Sequence, residues 1–496
     1  MKYIHILVFT LFALTSGAQN ISDVVRWSET DPAGSARIMG VGSAFGAMGG
    51  DFSVININPA GIADYRISEF VLSPSLSFSN TNAFFNAAPN QQESFKRSGI
   101  GIENIGFVVA GKPRGSLWTS SNFAVGFSRI ADFNQNILIT GGTKGSITRM
   151  FAEKANTLTE DQLDDFVAYP ALYTGAIFDS NNDLFYETDF DAFPEGNVNK
   201  SQEIIRKGGI NEFSFGWAGE YKNRLNVGLS MGIPFGSFEE DKVYTESDPQ
   251  NNFPAFNSLS YTERLNTSGV GINFKLGLTY KIENTIRIGA AVHSPSWFRF
   301  TDNYTTSLSY SYVDVDGRNQ SFSYDSPDGN FRYRISGPWR AVGSVGTIYR
   351  AGDIKGFINA DVEFVDYTSA SYNGTAYSSD PGEIAYTNEV NRDIQRRLSS
   401  GVNFRLGTEL AYQSLRLRGG YSWEKSPFNA DSFLNNRLSF GLGIREDKFF
   451  IDLGIRISER TEGYNPYVIL DQEGRDPLAT VNASRTRGVL TVGFKF

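Results

Sequence analysis

The chain has 496 residues, a formal net charge of −9, 14% aromatic residues, 50 Gly and no Cys. This length allows a large buried core, and the lack of cysteine excludes a scaffold held by disulfides. The acidic balance argues against nucleic-acid binding, because that function needs basic residues to neutralise phosphates.

The first residues have the pattern of a secretory signal peptide. Lys2 precedes an apolar stretch from 4 to 14 and the small residues at 16–18. We therefore predict a signal peptide over residues 1–18, cleaved after its last residue. The rest of the sequence contains no apolar run long enough for a membrane-spanning helix, so only strands could span a bilayer.

Residues 19–67 differ from the remainder of the chain, because they lack alternation and are rich in glycine. The run GSARIMGVGSAFGAMGGD holds six glycines, which permit tight backbone turns. Further on, Asn58 is pushed toward extended geometry by Pro59, which cannot donate to a strand ladder. Ala60 and Gly61 add no bulk. This segment is therefore predicted to lie against the wall of whatever follows, as a hatch.

Alternation at period two covers most of the chain after the hatch and places successive side chains on opposite faces of a strand. At the C-terminus, Leu490, Val492, Phe494 and Phe496 share an apolar face. Fourteen such segments are predicted, at 68–79, 100–111, 121–140, 211–221, 224–236, 262–280, 285–305, 331–350, 354–370, 396–412, 415–424, 436–445, 449–459 and 484–496.

The connections between these segments alternate between short turns and long loops, of which 141–210 is the longest. Outer-membrane barrels have short periplasmic turns, long extracellular loops and an even number of strands. We therefore predict an all-β fold, a transmembrane antiparallel β-barrel of about 14 strands over residues 68–496, with the hatch inside its lumen. A soluble sandwich or propeller would explain the alternating side chains along each strand but not the regular alternation of short turns and long loops.

Basic residues occupy predicted lumen positions: Lys275, Arg287, Arg405, Arg416, Arg418 and Arg456. Carboxylates fall on the same polar faces, so one interpretation is an array that neutralises itself. The other is that an anionic head group pairs with these cations during passage.

The loop at 141–210 is strongly acidic, since residues 151–200 contain eleven acidic and two basic side chains. A solvated extracellular surface is one interpretation. The alternative is a groove for an apolar ligand, formed by the apolar and aromatic side chains of the loop: Phe166, Tyr169, Leu172, Tyr173, Ile177 and Phe178.

The stretch GSAFGAMGGDFSVININPAGIAD resembles the N-terminal hatch of the FadL and TodX family of outer-membrane transporters. In that family an Asn-Pro-Ala motif sits in a hatch that closes a fourteen-stranded barrel, and the matching residues here are Asn58, Pro59 and Ala60. Matching at the level of sequence is confined to about residues 34–70 and the C-terminal strand.

This resemblance implies passive uptake of hydrophobic compounds such as long-chain fatty acids across the outer membrane of a Gram-negative bacterium. Ligand would enter from extracellular loops and leave through a gap made by an inward kink of the third strand. The polar interruption Ala131, Asp132, Phe133 and Asn134 is the candidate kink, although a polar stretch near a loop would look the same.

A competing hypothesis is a barrel of the same family that transports nothing and serves as a scaffold or shuttle in protein secretion or surface assembly. Under either hypothesis we expect contacts with outer-membrane lipid and lipopolysaccharide, and recognition of Phe496 by the barrel-assembly machinery.

Enzymatic chemistry is poorly supported. Gly228–Gly232 matches a nucleophile-elbow pattern around Ser230, but that site needs a strand–turn–helix context and a partner histidine. His293 is the single histidine after residue 18, so a lipase using Ser230 and His293 is a weaker alternative to two lumen-facing strand residues. No metal or cofactor site is expected.

Overall fold

A computed structural model describes residues 17–31, 34–87, 92–193, 196–283, 285–430, 434–470 and 476–496. The predicted signal peptide lies outside these residues except for positions 17 and 18. In the described part of the chain, no helix is long and apolar enough to cross a membrane.

One antiparallel sheet forms the wall of the molecule. Its strands are β1 Glu69–Phe85, β2 Glu93–Val109, β3 Trp118–Asp132, β4 Gln135–Lys144, β5 Asn197–Tyr221, β6 Leu225–Ser247, β7 Phe256–Ile282, β8 Ile286–His293, β9 Trp297–Val313, β10 Asn319–Asp325, β11 Gly329–Ser336, β12 Trp339–Ala351, β13 Ile354–Asp366, β14 Ser371–Asn373, β15 Ser400–Tyr412, β16 Leu415–Lys425, β17 Leu434–Arg445, β18 Phe449–Tyr464 and β19 Ala479–Lys495.

The sheet closes on itself, because β1 pairs with β2 on one side and with β19 on the other, from Glu69↔Lys495 to Phe85↔Ala479. Three predicted strands are each broken in two, as β3 and β4, β8 and β9, and β11 and β12. Counting each broken pair as one wall strand, and leaving out the short β10 and β14, gives the predicted fourteen. The prediction of a closed antiparallel barrel of 14 strands is confirmed.

The two faces of the wall follow the predicted alternation. Leu490, Phe494 and Phe496 are exposed on the outer surface, whereas Arg405 and Glu409 are buried on the inner one. Apolar side chains therefore form the outer surface, as lipid requires, and polar side chains face inward.

The predicted loops 80–99, 141–210 and 237–261 are too long, because strands occupy parts of all three. β5, β6 and β7 run for 25, 23 and 27 residues, more than twice the roughly ten that cross a bilayer. Beyond the membrane a strand needs no apolar outer face, so its ladder continues after the alternation has faded.

Helices lie inside the barrel or in its long loops: α1 Gly17–Ser28, α2 Ala36–Gly40, α3 Thr148–Ala155, α4 Ala168–Thr174 and α5 Pro381–Arg397. The loop predicted at 371–395 thus contains most of α5. Together with the N-terminal segment, these helices divide the interior into three buried layers.

The first layer, residues 34–67 of the hatch, packs on the inner wall through Phe45, Phe52 and neighbouring apolar residues. In the second, α1 places Trp27 among side chains of β9 and α5. The third is a cap, residues 145–193, whose apolar side chains cover the extended ends of β5, β6, β7 and β9. The hatch therefore lies in the lumen, as predicted.

Candidate functional site in the barrel lumen and wall

The Asn-Pro-Ala-Gly motif joins the hatch to the wall through one buried side chain. Asn58 Oδ1 accepts a hydrogen bond from Ala60 N at 3.1 Å and so caps the short 3-10 helix Pro59–Asp64. Asn58 Nδ2 donates to Gly46 O at 2.7 Å, within the hatch, and to Leu278 O of β7 at 3.0 Å. Asparagine suits this position because it accepts and donates at once.

Glycines in the barrel wall allow the backbone of the hatch to come close to the wall. A Cβ placed on Gly228 would lie 2.4 Å from Ala60 N, and one on Gly277 would lie 2.0 Å from Asn58 Oδ1. Gly61 has the same role within the hatch, since a Cβ there would lie 2.7 Å from Met48 O. Wall glycines in close contact with the hatch are Gly106, Gly126, Gly216, Gly228, Gly277, Gly289, Gly407, Gly420 and Gly454.

Ion pairs hold the two ends of the hatch to the wall. Asp64 accepts from Lys281 Nζ at 2.6 Å and from Arg287 Nη1 at 2.5 Å. Arg37 donates to both carboxylate oxygens of Glu409 at 2.9 Å. Removing one partner of a buried pair is strongly destabilising, so these contacts fix the hatch firmly.

The six predicted luminal cations are spread along the wall, and most already have carboxylate partners. Lys275 pairs with Glu212, Arg287 with Asp64, Arg405 with Glu363, Arg418 with Glu409 and Asp452, and Arg456 with Asp31. Arg416 instead donates to the backbone carbonyls of Gln413 and Leu415. The neutralising interpretation accounts for these contacts, and a role in anion passage stays a prediction.

The candidate kink, Ala131, Asp132, Phe133 and Asn134, lies at the junction between β3 and β4. Here the chain leaves the ladder and is held by side chains. Asn134 N and Nδ2 donate to Asp132 Oδ1 at 2.9 and 2.7 Å. Arg485 donates to the carbonyls of Asp132 and Asn134 at 3.1 and 2.6 Å.

A glycine on the neighbouring strand accommodates the junction. Gly208 of β5 has φ +112°, in the region that favours glycine, and its carbonyl accepts from Phe133 N at 3.1 Å. A Cβ at this position would lie 2.1 Å from Ser237 O. The break in the third wall strand thus depends on a residue without a side chain.

Beyond the junction the wall is open on one side. The ladder between β2 and β3 runs only from Asn104↔Ser128 to Val109↔Phe123. Residues 93–103 of β2 pair with β1 but, among the described residues, with neither β3 nor β4. An open strand edge is costly in lipid, so a barrel wall that keeps one is expected to use it.

The second half of the broken strand turns inward. Ile137 and Ile139 of β4 are fully buried and pack with Ala83 of β1 and Val481 of β19, while β4 still pairs with β5. In a closed wall β4 would lie beside β2. Because of this displacement, residues 93–102 of β2 and strand β4 do not pair with each other in the described part of the structure, and we call the space between them the gap.

A cavity of about 530 Å³ opens at this gap. Its lining combines apolar and polar residues: Ile102, Ile105, Phe127, Arg129, Asn134, Gly208, Gly209, Asn211, Phe213 and Ser237. Ile102 and Phe213 are also exposed on the outer surface. The cavity therefore has an amphiphilic lining, and it reaches the outer surface of the barrel.

The residues of the predicted groove lie in the cap and differ in exposure, and their role in ligand binding stays a prediction. Leu172 and Phe178 are half-buried, and the backbone carbonyl of Phe166 accepts hydrogen bonds from the wall. Tyr169 and Tyr173, by contrast, form a cluster with Tyr324, at centroid distances between 5.2 and 6.4 Å. This cluster is the part of the predicted groove that has rings at the surface of the cap.

The lipase alternative finds no support in the geometry. His293 Nε2 is bonded to Ile57 O at 2.9 Å, and in the described part of the structure the Ser230 hydroxyl has no hydrogen-bond partner. Nor do the described residues bring together three or more metal-ligating side chains.

Sequence reasoning missed Gly208 and Arg97, both of which belong to the gap. Arg97 points inward from β2, because it pairs with inward-facing Ser79 of β1, and it reaches toward β4. The signal that could have revealed Gly208 was the Gly-Gly pair opposite the polar interruption of the third strand. The Arg97 contacts had no comparable signal.

Solved structures share this architecture. The toluene transporter TodX of Pseudomonas putida matches with a TM-score of 0.53 and 13% identity, over 94% of this chain and 99% of that one. A Pseudomonas aeruginosa FadL homologue matches with a TM-score of 0.55 and 13% identity, over 95% and 100%. No family model matches the chain, and no curated protein does either. The chain thus has the FadL/TodX type of fold.

Proposed function

We propose that this protein is a transporter, not an enzyme, that passes hydrophobic compounds such as long-chain fatty acids across the outer membrane of a Gram-negative bacterium. The lateral gap carries the proposal. It combines an unpaired stretch of β2 with an amphiphilic cavity that reaches the outer surface. The names of the structural neighbours, a toluene transporter and a FadL homologue, agree with it.

The proposed route begins at the extracellular cap and ends in the bilayer. The tyrosine cluster of Tyr169, Tyr173 and Tyr324 offers aromatic surface for a first contact. Ligand would then descend beside β4, whose inward displacement opens a side passage, and leave through the gap. Leaving sideways spares an apolar molecule from crossing the polar inner surface of the lower barrel.

The remaining partners follow from the outer surface. The exposed apolar belt would contact lipid and lipopolysaccharide. Phe496, which is 66% exposed and stacks on Phe107 with centroids 5.7 Å apart, would be available to the barrel-assembly machinery during insertion.

A single engineered cysteine can test the exit, because the natural chain has none. Gly99 of β2 faces inward beside the gap, and a Cβ there would meet only Ser77 Oγ, at 3.1 Å. We expect Gly99→Cys to transport normally until benzyl methanethiosulfonate attaches a bulky group, and to recover when dithiothreitol removes it. The measurement is the initial uptake of radiolabelled hexadecanoic acid by cells.

Ser98→Cys is the matched control, since its side chain lies on the outer face of the same strand and its modification should leave uptake unchanged. Full uptake by the modified Gly99→Cys protein would contradict exit through the gap. If cells expressing the unmodified protein took up no more ligand than cells without it, the scaffold hypothesis would replace the transporter.

A further inference from the structure

Arg97 differs from five of the six luminal cations described above and resembles Arg416, which also donates to neutral acceptors. Lys275, Arg287, Arg405 and Arg456 each pair with a carboxylate. The recorded acceptors of Arg97, in contrast, are all neutral, and among the described residues it forms no ion pair. A half-buried guanidinium without a counter-charge is an unusual element in a barrel interior.

The hydrogen bonds of Arg97 cross the gap. Nη1 donates to Asn136 Oδ1 of β4 and to the carbonyl of Arg206 of β5, both at 2.9 Å. Nη2 donates to Asn134 Oδ1 at 3.0 Å. We call this set of contacts the latch. It ties the open edge of β2 to the two strands on the other side of the passage.

The latch adjoins the cavity and retains binding capacity. Asn134 lines the cavity and also accepts from Arg97. A guanidinium has five N–H donors, and the three bonds of the latch use three of them. Nε and one Nη2 hydrogen can therefore still meet an oxygen of a bound molecule.

The neighbouring arginines, unlike Arg97, share carboxylates. Arg129, Arg485 and Arg487 all lie within 4.0 Å of the carboxylate of Asp132, and Arg487 also contacts Asp31 and Glu103. Arg129 also lines the cavity. These three arginines are therefore balanced by three carboxylates, whereas the hydrogen bonds of Arg97 go to neutral acceptors.

We propose that Arg97 is a positioning residue that makes the exit selective, and that a carboxylate on an amphipathic ligand releases the latch. The inference rests on the proposed transport function. Hydrogen bonds from Arg97 to the carboxylate are charge-assisted on both sides and about twice as strong as hydrogen bonds between neutral groups. Arg97 therefore exchanges its hydrogen bonds to Asn136 and Asn134 for hydrogen bonds to the ligand. A neutral analogue of equal length offers no such exchange and leaves the latch closed.

The test compares two ligands that differ only in the head group, hexadecanoic acid and hexadecan-1-ol, at pH 8 in liposomes containing the full protein. We expect wild type to take up the acid about tenfold faster than the alcohol, as one charged hydrogen bond to the carboxylate implies. Arg97→Gln should abolish this ratio, mainly by slowing the acid. Arg97→Lys should keep part of it, because the charge remains.

Two further variants separate selectivity from folding. Asn136→Ala loosens the latch from the other side and should speed the alcohol, which also lowers the ratio. Arg437→Gln removes an inward-facing arginine whose partners are Asp31 and Glu424, and it should leave the ratio unchanged. Each variant is first checked for the heat-dependent mobility shift of a folded barrel.

The outcomes distinguish the latch from transport itself. If wild type passes both ligands and both Arg97→Gln and Asn136→Ala keep the wild-type acid-to-alcohol ratio, the latch is wrong and the transporter stands. If wild type passes neither ligand, the proposed function and the latch fall together.

Discussion

Replacing Gly228 with alanine should detach the hatch while sparing the barrel. The new Cβ would lie 2.4 Å from Ala60 N, about 1 Å short of an ordinary contact, and the atoms it meets are backbone. The segment around Asn58 must therefore move by a similar distance relative to both the wall and the rest of the hatch, which stretches the hydrogen bonds from Asn58 Nδ2 to Gly46 O and Leu278 O beyond bonding range. Two buried hydrogen bonds, at about 1 kcal/mol each, and an overpacking term of similar size amount to roughly 3 kcal/mol.

Hydrogen–deuterium exchange measured by mass spectrometry can localise this effect. A loss of roughly 3 kcal/mol corresponds to exchange of hatch amides about a hundredfold faster, while the amides of β6 and β7 should keep their protection. Gly343→Ala is the matched control, because a Cβ on this wall glycine has nothing within 4 Å. Equal protection of the hatch in Gly228→Ala and Gly343→Ala would refute the reasoning.

Three other substitutions test separate parts of the structure. Asp64→Asn should weaken the lower attachment of the hatch by about 3 kcal/mol, because Arg287 loses its carboxylate partner whereas Lys281 keeps Glu220. Faster exchange of the hatch amides should report this loss. Gly208→Ala should destabilise the barrel by about 2 kcal/mol, because alanine disfavours the positive φ. The temperature at which the electrophoretic mobility of the barrel shifts should therefore fall by several degrees. Burial raises the pKa of Asp189 in the cap, so its contribution to stability is present at low pH and is lost as pH rises through the raised pKa. Protease resistance of the cap should accordingly fall from pH 4 to pH 7, and less steeply in Asp189→Asn.

The barrel could be predicted because lipid imposes a simple rule on the wall. Every outward side chain within the membrane must be apolar, so period-two alternation marks each strand that crosses it. The rule ends at the membrane surface, which explains why the upper parts of β5, β6 and β7 were missed. The rule also places no constraint on inward-facing residues, whose polar groups pair with partners that are close in space but far apart in the sequence.

The residues of the candidate site also fall into two groups, those that the sequence reveals and those that it does not. Asn58, Pro59 and Gly61 stand out in the sequence, because backbone constraints and close packing require particular residue types. The latch does not stand out, since Arg97 and Asn136 are ordinary polar residues on β2 and β4, which share no ladder in the described part of the chain. Their contact belongs to the inward turn of β4, which Gly208 of a third strand accommodates.

The hatch and the gap differ in the free energy needed to open them. The hatch is held by ion pairs such as Arg37–Glu409 and Asp64–Lys281, and breaking a buried pair costs about 3–5 kcal/mol. An apolar ligand offers nothing in exchange for those contacts. The gap is closed by hydrogen bonds from Arg97 to neutral acceptors, beside a cavity that an apolar chain can fill. Under the proposed transport function, a hydrophobic molecule in the lumen would thus leave through the wall at a lower free-energy cost than past the hatch, with the hatch still in place.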